Sequence, residues 1–292
     1  MPNVSRGFLT MAVGRRRYLE MAVDMALSLR EHDDRPIALA ADAALGRTAR
    51  ECYGPVFDEV TEIPGRFLDG RAIKYGAAAA SPFAETMFVD SDCFVLGSLD
   101  YLWSGLDGAD MAMLGELLTE HEDENHHGFS TRSLMRRFGL DHYLKTNSGI
   151  FCFRTDAALE IMETCLVTFL EEIRPRLRGG ILRGGWVGDE IGFGVVGGRR
   201  KLGTLPFPQP MYWPQEFRAI DLDRPSKPLL HFIWPPEPAV VGRLLRDAAD
   251  RRAAVGVSSA DQDHWLDELE GLRKMARRRR LLERLRIWKT RV

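Results

Sequence analysis

The sequence predicts an α/β fold whose N-terminal half is doubly wound, and three observations carry that reading. Two short apolar runs, Gly7–Val13 and Pro36–Ala41, bracket a segment with helical spacing. A third apolar run, Thr86–Val89, ends in the acidic triplet Asp90-Ser91-Asp92. The chain of 292 residues is 45% hydrophobic, enough to bury a large core.

Gly7–Val13 is rich in residues that suit a buried strand and stops at Gly14. Tyr18, Met21, Ala22, Met25, Ala26 and Leu29 then recur three and four positions apart, which predicts a helix packed along one face. Pro36–Ala41 is the next strand, followed by Asp42 and a further helix. Strand, helix and strand in this order form a βαβ unit, for which a right-handed crossover is the rule. Thr86–Val89 follows the alanine-rich stretch Ala77–Ala80 and delivers Asp90 and Asp92 at its C-terminal end, the edge where ligands bind in open α/β sheets. Gly149–Arg154 reads as a strand, Ala157–Arg174 as a long helix and Gly179–Gly198 as a glycine-rich loop region. Pro206–Pro214 and Pro225–Pro238 read as irregular chain around the site.

The formal net charge of −2 gives the whole molecule no bias toward polyanions, but its distribution is uneven. Gly271–Val292 holds ten basic residues against the single acid Glu283, which leaves residues 1–270 at about −11 by subtraction. Cys52, Cys93, Cys152 and Cys165 show neither CxxC pairing nor zinc spacing and read as reduced core residues. Neither a secretory leader nor a membrane span is legible, so the expectation is a cytoplasmic protein, soluble or peripheral on the inner face of the membrane.

A loop leaving an apolar strand can aim Asp90 and Asp92 at one point, and hard oxygen ligands at that spacing suit Mg²⁺ or Mn²⁺ bridging to phosphate oxygens. Their context adds to this. Arg71-Ala72-Ile73-Lys74, Met87–Asp92, Val95–Leu99 and Leu102-Trp103 resemble, in order, the signature of the family-eight, retaining glycosyltransferases, the group of glycogenin and the bacterial lipooligosaccharide α-galactosyltransferases. The resemblance extends over Gly7–Thr10, Thr146–Gly149, Gly188-Asp189-Glu190 and Leu229–Phe232, and covers about residues 7 to 235.

The resemblance implies a single GT-A type, Rossmann-like domain with a mixed central sheet over residues 1–245, followed by a helical, basic amphipathic extension over 246–292. It implies transfer of a hexose from a nucleotide diphosphate sugar, a UDP-sugar, to a glycan or lipid-linked acceptor with retention. Asp90, Asp92 and His231 would hold Mn²⁺ or Mg²⁺; a half-buried strand-end histidine is the alternative for His231. Thr10, Ala12, Val13, Tyr18, Asp42, Arg71, Lys74 and Ser91 would bind the donor. Tyr18 reads equally as a core aromatic, and Arg71 as part of a solvated helix face. Asn147, Asp189 and Glu190 would contact the transferred sugar or the acceptor, with a helix N-cap as the alternative for Asp189.

Two departures from the family pattern bear on mechanism. Glu190 stands where the family often has glutamine, and a carboxylate there is a nucleophile candidate. After His231 the chain reads Phe232-Ile233-Trp234-Pro235, without the lysine that binds diphosphate in the family. Glu116–His127, with five acids and three histidines, lacks metal spacing and reads as an acceptor loop or a solvated one.

In the tail, Leu281, Leu285, Trp288 and Val292 fall at helical spacing among arginines. The stripe suits an anionic membrane surface first, packing on a partner or on its own domain second and nucleic acid third, and no nucleic-acid partner is expected. A nucleotidyltransferase and an inert nucleotide-sugar-binding protein of the same fold are the competing functions.

Overall fold

The computed structural model describes residues 5–68, 72–177, 187–200, 202–257 and 263–289, with side chains in the last segment from 264 to 277. The expected βαβ unit is present as β1 (Arg6–Ala12), α1 (Arg16–Arg30) and β2 (Ile37–Ala41), followed by α2 (Ala43–Cys52) and β3 (Glu59–Glu62). The short α3 (Ala77–Ala80) leads into β4 (Glu85–Val89), and β5 (Cys93–Val95) and β6 (Met111–Thr119) follow. Next come the hairpin strands β7 (Asn125–His126) and β8 (Phe129–Ser130), then α4 (Thr131–Phe138) and the long β9 (His142–Arg154). α5 (Thr155–Val167) continues through a π-helical stretch, Thr168–Ile173, into α6 (Arg174–Arg176). α7 (Asp189–Arg200), β10 (Gly203–Thr204), β11 (Leu229–His231), α8 (Pro238–Ala254) and α9 (Asp263–Lys289) complete the described chain.

The main sheet has seven strands in the order β10-β6-β9-β4-β1-β2-β3. β1 runs parallel to β2 and β4, and β2 to β3, whereas β9 is antiparallel to both β4 and β6. The sheet is therefore mixed. Alternation sends Leu9, Met11, Ala38 and Ala40 to one core and Phe8, Ala12, Ile37, Leu39 and Ala41 to the other. Burial of both faces is why these strands read as unbroken apolar runs. The first core lies under α4, α5 and α7, and the second under α1, α2 and Trp103.

The glycine-rich region is a correction. Residues 178–186 lie outside the described residues, but Asp189–Arg200 is a helix, not a loop. Helix-interior glycine costs about 1 kcal/mol relative to alanine, so its presence here needs a packing reason. A Cβ at Gly192 would lie 1.9 Å from Tyr75 Oη, one at Gly194 2.5 Å from the Tyr143 ring, and one at Gly198 2.1 Å from His142 O. The glycines let α7 seat directly on β9, and side-chain-free positions are what close backbone approach requires. β9 also begins seven residues before the expected Gly149, because its polar first half hides the strand pattern. Cys93, Cys152 and Cys165 are buried as free thiols, whereas Cys52 is exposed at the end of α2, contrary to the core reading.

The boundary expected after residue 245 falls inside α8. α8 and the described part of α9 pack on α1. Trp265 is fully buried between Phe94 and Phe232, with ring centroids at 4.8 and 4.7 Å. Its Nε1 donates to Asp24 Oδ2 at 2.7 Å, and the same carboxylate takes Arg252 Nε at 2.5 Å and His264 Nε2 at 3.0 Å. Arg252 also reaches Glu20 Oε2 at 3.0 Å. The first half of the tail helix thus packs on its own domain. The side chains of Leu281, Leu285, Trp288 and Val292 lie outside the described residues. Among the described residues, no helix is long and apolar enough to cross a membrane.

Candidate active site

Asp90 and Asp92 leave the C-terminal end of β4 in a tight turn, with Asp90 N donating to Gly149 O at 2.9 Å and Cys93 N to Asp90 O at 3.2 Å. β5 then pairs antiparallel with β11, setting Cys93 opposite His231. This short ladder brings a residue 139 positions downstream of Asp92 to its side. His231 Nε2 lies 3.1 Å from Asp92 Oδ1 and 3.7 Å from Asp90 Oδ2. Gly149 makes room for the ring, since a Cβ there would meet His231 Nδ1 at 2.5 Å. The three residues expected to hold a metal therefore converge.

Two carboxylates and an imidazole form a donor set suited to Mn²⁺ or Mg²⁺. Asp92 Oδ1 and His231 Nδ1 are buried without a hydrogen bond, and the 3.1 Å contact is close by distance only. A buried carboxylate oxygen lacking a donor fits a place for a cation. Cys93 also lies within reach of Asp92 and His231, but its sulfur is a soft donor and a poor match for a hard ion such as Mg²⁺.

Lys74, on the 3₁₀ turn Ile73–Gly76, completes this end of the site. Its Nζ reaches Asp90 Oδ2 at 2.5 Å, Ser148 Oγ at 3.0 Å and Ser148 O at 3.3 Å, with Asp189 Oδ2 at 3.8 Å. Burial opposes its charge, but Asp90 and Asp189 outweigh burial and hold the ammonium protonated. Burial pushes Asp90 up to about 6, with Lys74 opposing and the like charge of Asp92 adding to the rise. At Asp92 burial acts the same way, but His231 overrides it and holds the carboxyl below its usual range. His231 is raised in turn, its two aspartates outweighing burial. Arg71 lies outside the described residues.

From Lys74 the polar strip runs on to α7. The pairing of β6 with β9 skips between Met113, opposite Phe151, and Leu114, opposite Asn147, so Ser148–Ile150 form a bulge at the site. Asn147 Oδ1 braces the bulge by accepting from Gly149 N at 2.9 Å. Ser148 N donates to Glu190 Oε1 at 2.9 Å. Glu190 Oε2 meets His127 Nε2 and lies 3.5 Å from His126 Nε2. Burial works to raise Glu190, but the two histidines override it and hold the carboxyl well below its usual range. Asp189 begins α7, accepting from Glu190 N at 2.9 Å through Oδ1, while its carbonyl takes Tyr75 Oη–H at 2.6 Å. Burial raises Asp189, against Lys74.

The remaining donor-binding candidates line the same sheet edge. Thr10 and Ala12 are buried near the end of β1, and Thr10 Oγ1 has no hydrogen-bond partner. Val13 is half-buried, and Tyr18 Oη accepts from Arg17 at 3.0 Å. Asp42 caps α2 through Ala44 N and Leu45 N at 3.0 and 2.9 Å and takes Gly14 N at 2.7 Å, which pins the turn after β1. Ser91 is buried between the two aspartates.

Sequence reasoning placed His126 and His127 in an acceptor or solvated loop and Ser148 within a motif, but missed the contact of all three with Glu190. The signal for the histidines was local: His127-Gly128 is an X-Gly pair that can close a two-residue hairpin, and this hairpin aims both rings at Glu190. Nothing local connects residue 127 to residue 190.

No family model matches the chain, and no curated protein matches it. Solved structures do. The glycosyltransferase GlyE of Streptococcus pneumoniae TIGR4 superposes with a TM-score of 0.53 at 13% identity, over 87% of this chain and 63% of that one. Its apo form gives 0.56 at 13%, over 89% and 66%. The apo structure of the bifunctional glycosyltransferase WbbM gives 0.52 at 10%, over 86% of this chain and 50% of that one. The chain spans between half and two thirds of the length of these proteins. At such identities the likeness is one of fold, to glycosyltransferases broadly rather than to family eight. The chain has the GT-A glycosyltransferase fold.

Proposed function

We propose that the protein is a metal-dependent glycosyltransferase that moves a hexose from a UDP-sugar to a glycan or lipid-linked acceptor, with retention. The observation that carries this reading is the convergence of Asp90, Asp92 and His231, with Lys74 beside them, at the C-terminal edge of a GT-A sheet. Asp90, Asp92 and His231 would hold Mn²⁺ or Mg²⁺. When bound, the ion supplies positive charge to the diphosphate. Thr10, Ala12, Val13 and Tyr18 line the edge where the nucleotide would sit, and Lys74 offers a fixed cation in place of the lysine missing after His231.

Glu190 is an anion whose oxygens already meet Ser148 N and two histidines. That arrangement favours a positioning role over a nucleophilic one, and retention by same-face transfer needs no protein nucleophile. The basic residues after 277 suit an anionic bilayer on the cytoplasmic side, where a lipid-linked acceptor would lie.

The test is to incubate the protein with Mn²⁺ and a panel of UDP-hexoses and to analyse the products. Slow release of free hexose and UDP is expected. Pyrophosphate among the products would identify a nucleotidyltransferase, and donor binding without any product would identify an inert binder.

A further inference from the structure

Lys74 is tied down more fully than a lysine waiting for a ligand needs to be. An ammonium has three hydrogens to donate and no lone pair. Three acceptors stand within hydrogen-bond distance of it: Asp90 Oδ2 at 2.5 Å, Ser148 Oγ at 3.0 Å and Ser148 O at 3.3 Å. Asp189 Oδ2 is at 3.8 Å, and the Lys74 side chain is 19% exposed. The turn Ile73–Gly76, the end of β4, the β9 bulge and the start of α7 therefore meet at one nitrogen. A lysine whose hydrogens are all taken belongs to the framework and acts on a ligand through its charge.

That charge is felt at all three candidate metal ligands. Burial is the largest influence on Asp90, Asp92 and His231, and Lys74 draws each of the three downward as well. A positive charge that favours the two carboxylates and disfavours a charged His231 ring also opposes a divalent ion held among these groups, because like charges repel strongly where water is scarce. Asp92 Oδ1 and His231 Nδ1 have no hydrogen bond, whereas Asp90 already carries a cation on Oδ2. The donor set is thus complete in its atoms and partly neutralised in its charge. A diphosphate reverses the balance, since the ion and Lys74 both attract it.

We propose that Lys74 is a resident counter-cation, which keeps the affinity of Asp90, Asp92 and His231 for a divalent ion low until a nucleoside diphosphate lies beside them, so that ion and nucleotide are taken up together. Lys74 serves the two ligands in opposite senses. It repels the ion by itself and attracts the diphosphate by itself. Without Lys74 the site would hold an ion readily and a metal-free nucleotide poorly. This inference rests on the glycosyltransferase reading and adds to it the group that makes ion binding depend on the nucleotide.

The experiment is calorimetric titration of Mn²⁺ into the wild type, Lys74→Met and Lys74→Gln, each without nucleotide and with UDP. Lys74→Met removes the charge, and Lys74→Gln removes it while keeping a donor for Asp90 and Ser148. Burial pushes Asp90 up to about 6, so the titrations are run at pH 8, where a proton does not take the place that Lys74 leaves. Circular dichroism checks that each variant is folded. Without nucleotide, the wild type should bind Mn²⁺ weakly and both variants about tenfold to a hundredfold more tightly. Adding Asp92→Asn to either variant should abolish that gain, which assigns it to this site. UDP in EDTA should bind both variants more weakly than the wild type. Variants whose Mn²⁺ affinity without nucleotide is within about threefold of wild type, or weaker, overturn the counter-cation, as does a wild type whose tight Mn²⁺ binding UDP does not increase. A wild type that binds neither Mn²⁺ with UDP nor any UDP-hexose overturns the glycosyltransferase reading itself.

Discussion

Trp265 couples the C-terminal helix to the metal end of the site, so its removal should be felt in both stability and binding. The indole is fully buried, packed between the tilted rings of Phe94 and Phe232, and donates to Asp24 Oδ2. Truncation of a buried tryptophan to alanine costs about 3–5 kcal/mol, and loss of a hydrogen bond to a charged acceptor adds about 1.5–3 kcal/mol. Asp24 keeps Arg252 and His264, and Trp265→Ala should lose about 4.5–8 kcal/mol in all, a large share of the 5–15 kcal/mol typical of a whole domain. Trp265→Phe keeps a ring in place and should cost about 1.5–3 kcal/mol. Phe94 is two residues from Asp92 and Phe232 follows His231, so the alanine variant, where it folds, should also bind a Mn²⁺–UDP-hexose more weakly. Urea unfolding followed by circular dichroism reads the first effect and calorimetry the second. A cost below about 1 kcal/mol for Trp265→Ala would refute the reasoning, since α9 would then be an appendage rather than part of the core.

Three further outcomes follow from the same contacts. Glu190→Gln should lower hydrolysis by about tenfold to a hundredfold, as expected of a group that positions the sugar; a loss of several orders of magnitude would point to a nucleophile instead. Gly149→Ala should abolish Mn²⁺-dependent donor binding while leaving the circular dichroism spectrum intact, because its Cβ would meet the His231 ring; retained binding contradicts the role given to this glycine. Glu20 and Asp24 are held below the usual carboxylate range, burial being outweighed by Tyr53, Arg16 and Arg252 at Glu20 and by His264, Arg252 and Trp265 at Asp24. A depressed folded pKa stabilises above the unfolded value and is lost as pH falls through the folded one. The urea midpoint should therefore hold from pH 7 to about 5 and fall below about pH 4, and a midpoint unchanged down to pH 3 would contradict the buried network.

Legibility in the sequence followed the range of the interactions. β1, α1, β2 and β4 were readable because a sheet buried on both faces writes continuous apolar runs, and a helix on a core writes its stripe. Asp90 and Asp92 were readable because both sit in one loop. His231 was placed beside them only through a family resemblance, since the β5–β11 ladder that brings it there joins two strands of three residues each. α7 was misread because its glycines answer to Tyr75, Tyr143 and His142, none of which is a neighbour in sequence. The pairing of His127 with Glu190 was hidden for the same reason. The near half of α9 was legible as a helix, but its inward face was not, because Trp265 packs on Phe94 and Phe232 and bonds to Asp24 across more than thirty positions in every case.

The central claim, that Asp90, Asp92 and His231 form a cation site serving a nucleotide-sugar, is tested most directly by calorimetric titration of UDP-hexoses into wild-type protein and Asp92→Asn, each with Mn²⁺ and with EDTA. The substitution keeps the side chain's shape and removes the charge of a buried oxygen that lacks a hydrogen bond. The account predicts that at least one donor binds the wild type with Mn²⁺, that EDTA weakens this binding sharply, and that Asp92→Asn shows the weak binding in both conditions. Equal affinity with Mn²⁺ and EDTA, or an Asp92→Asn variant that binds as the wild type does, would contradict it.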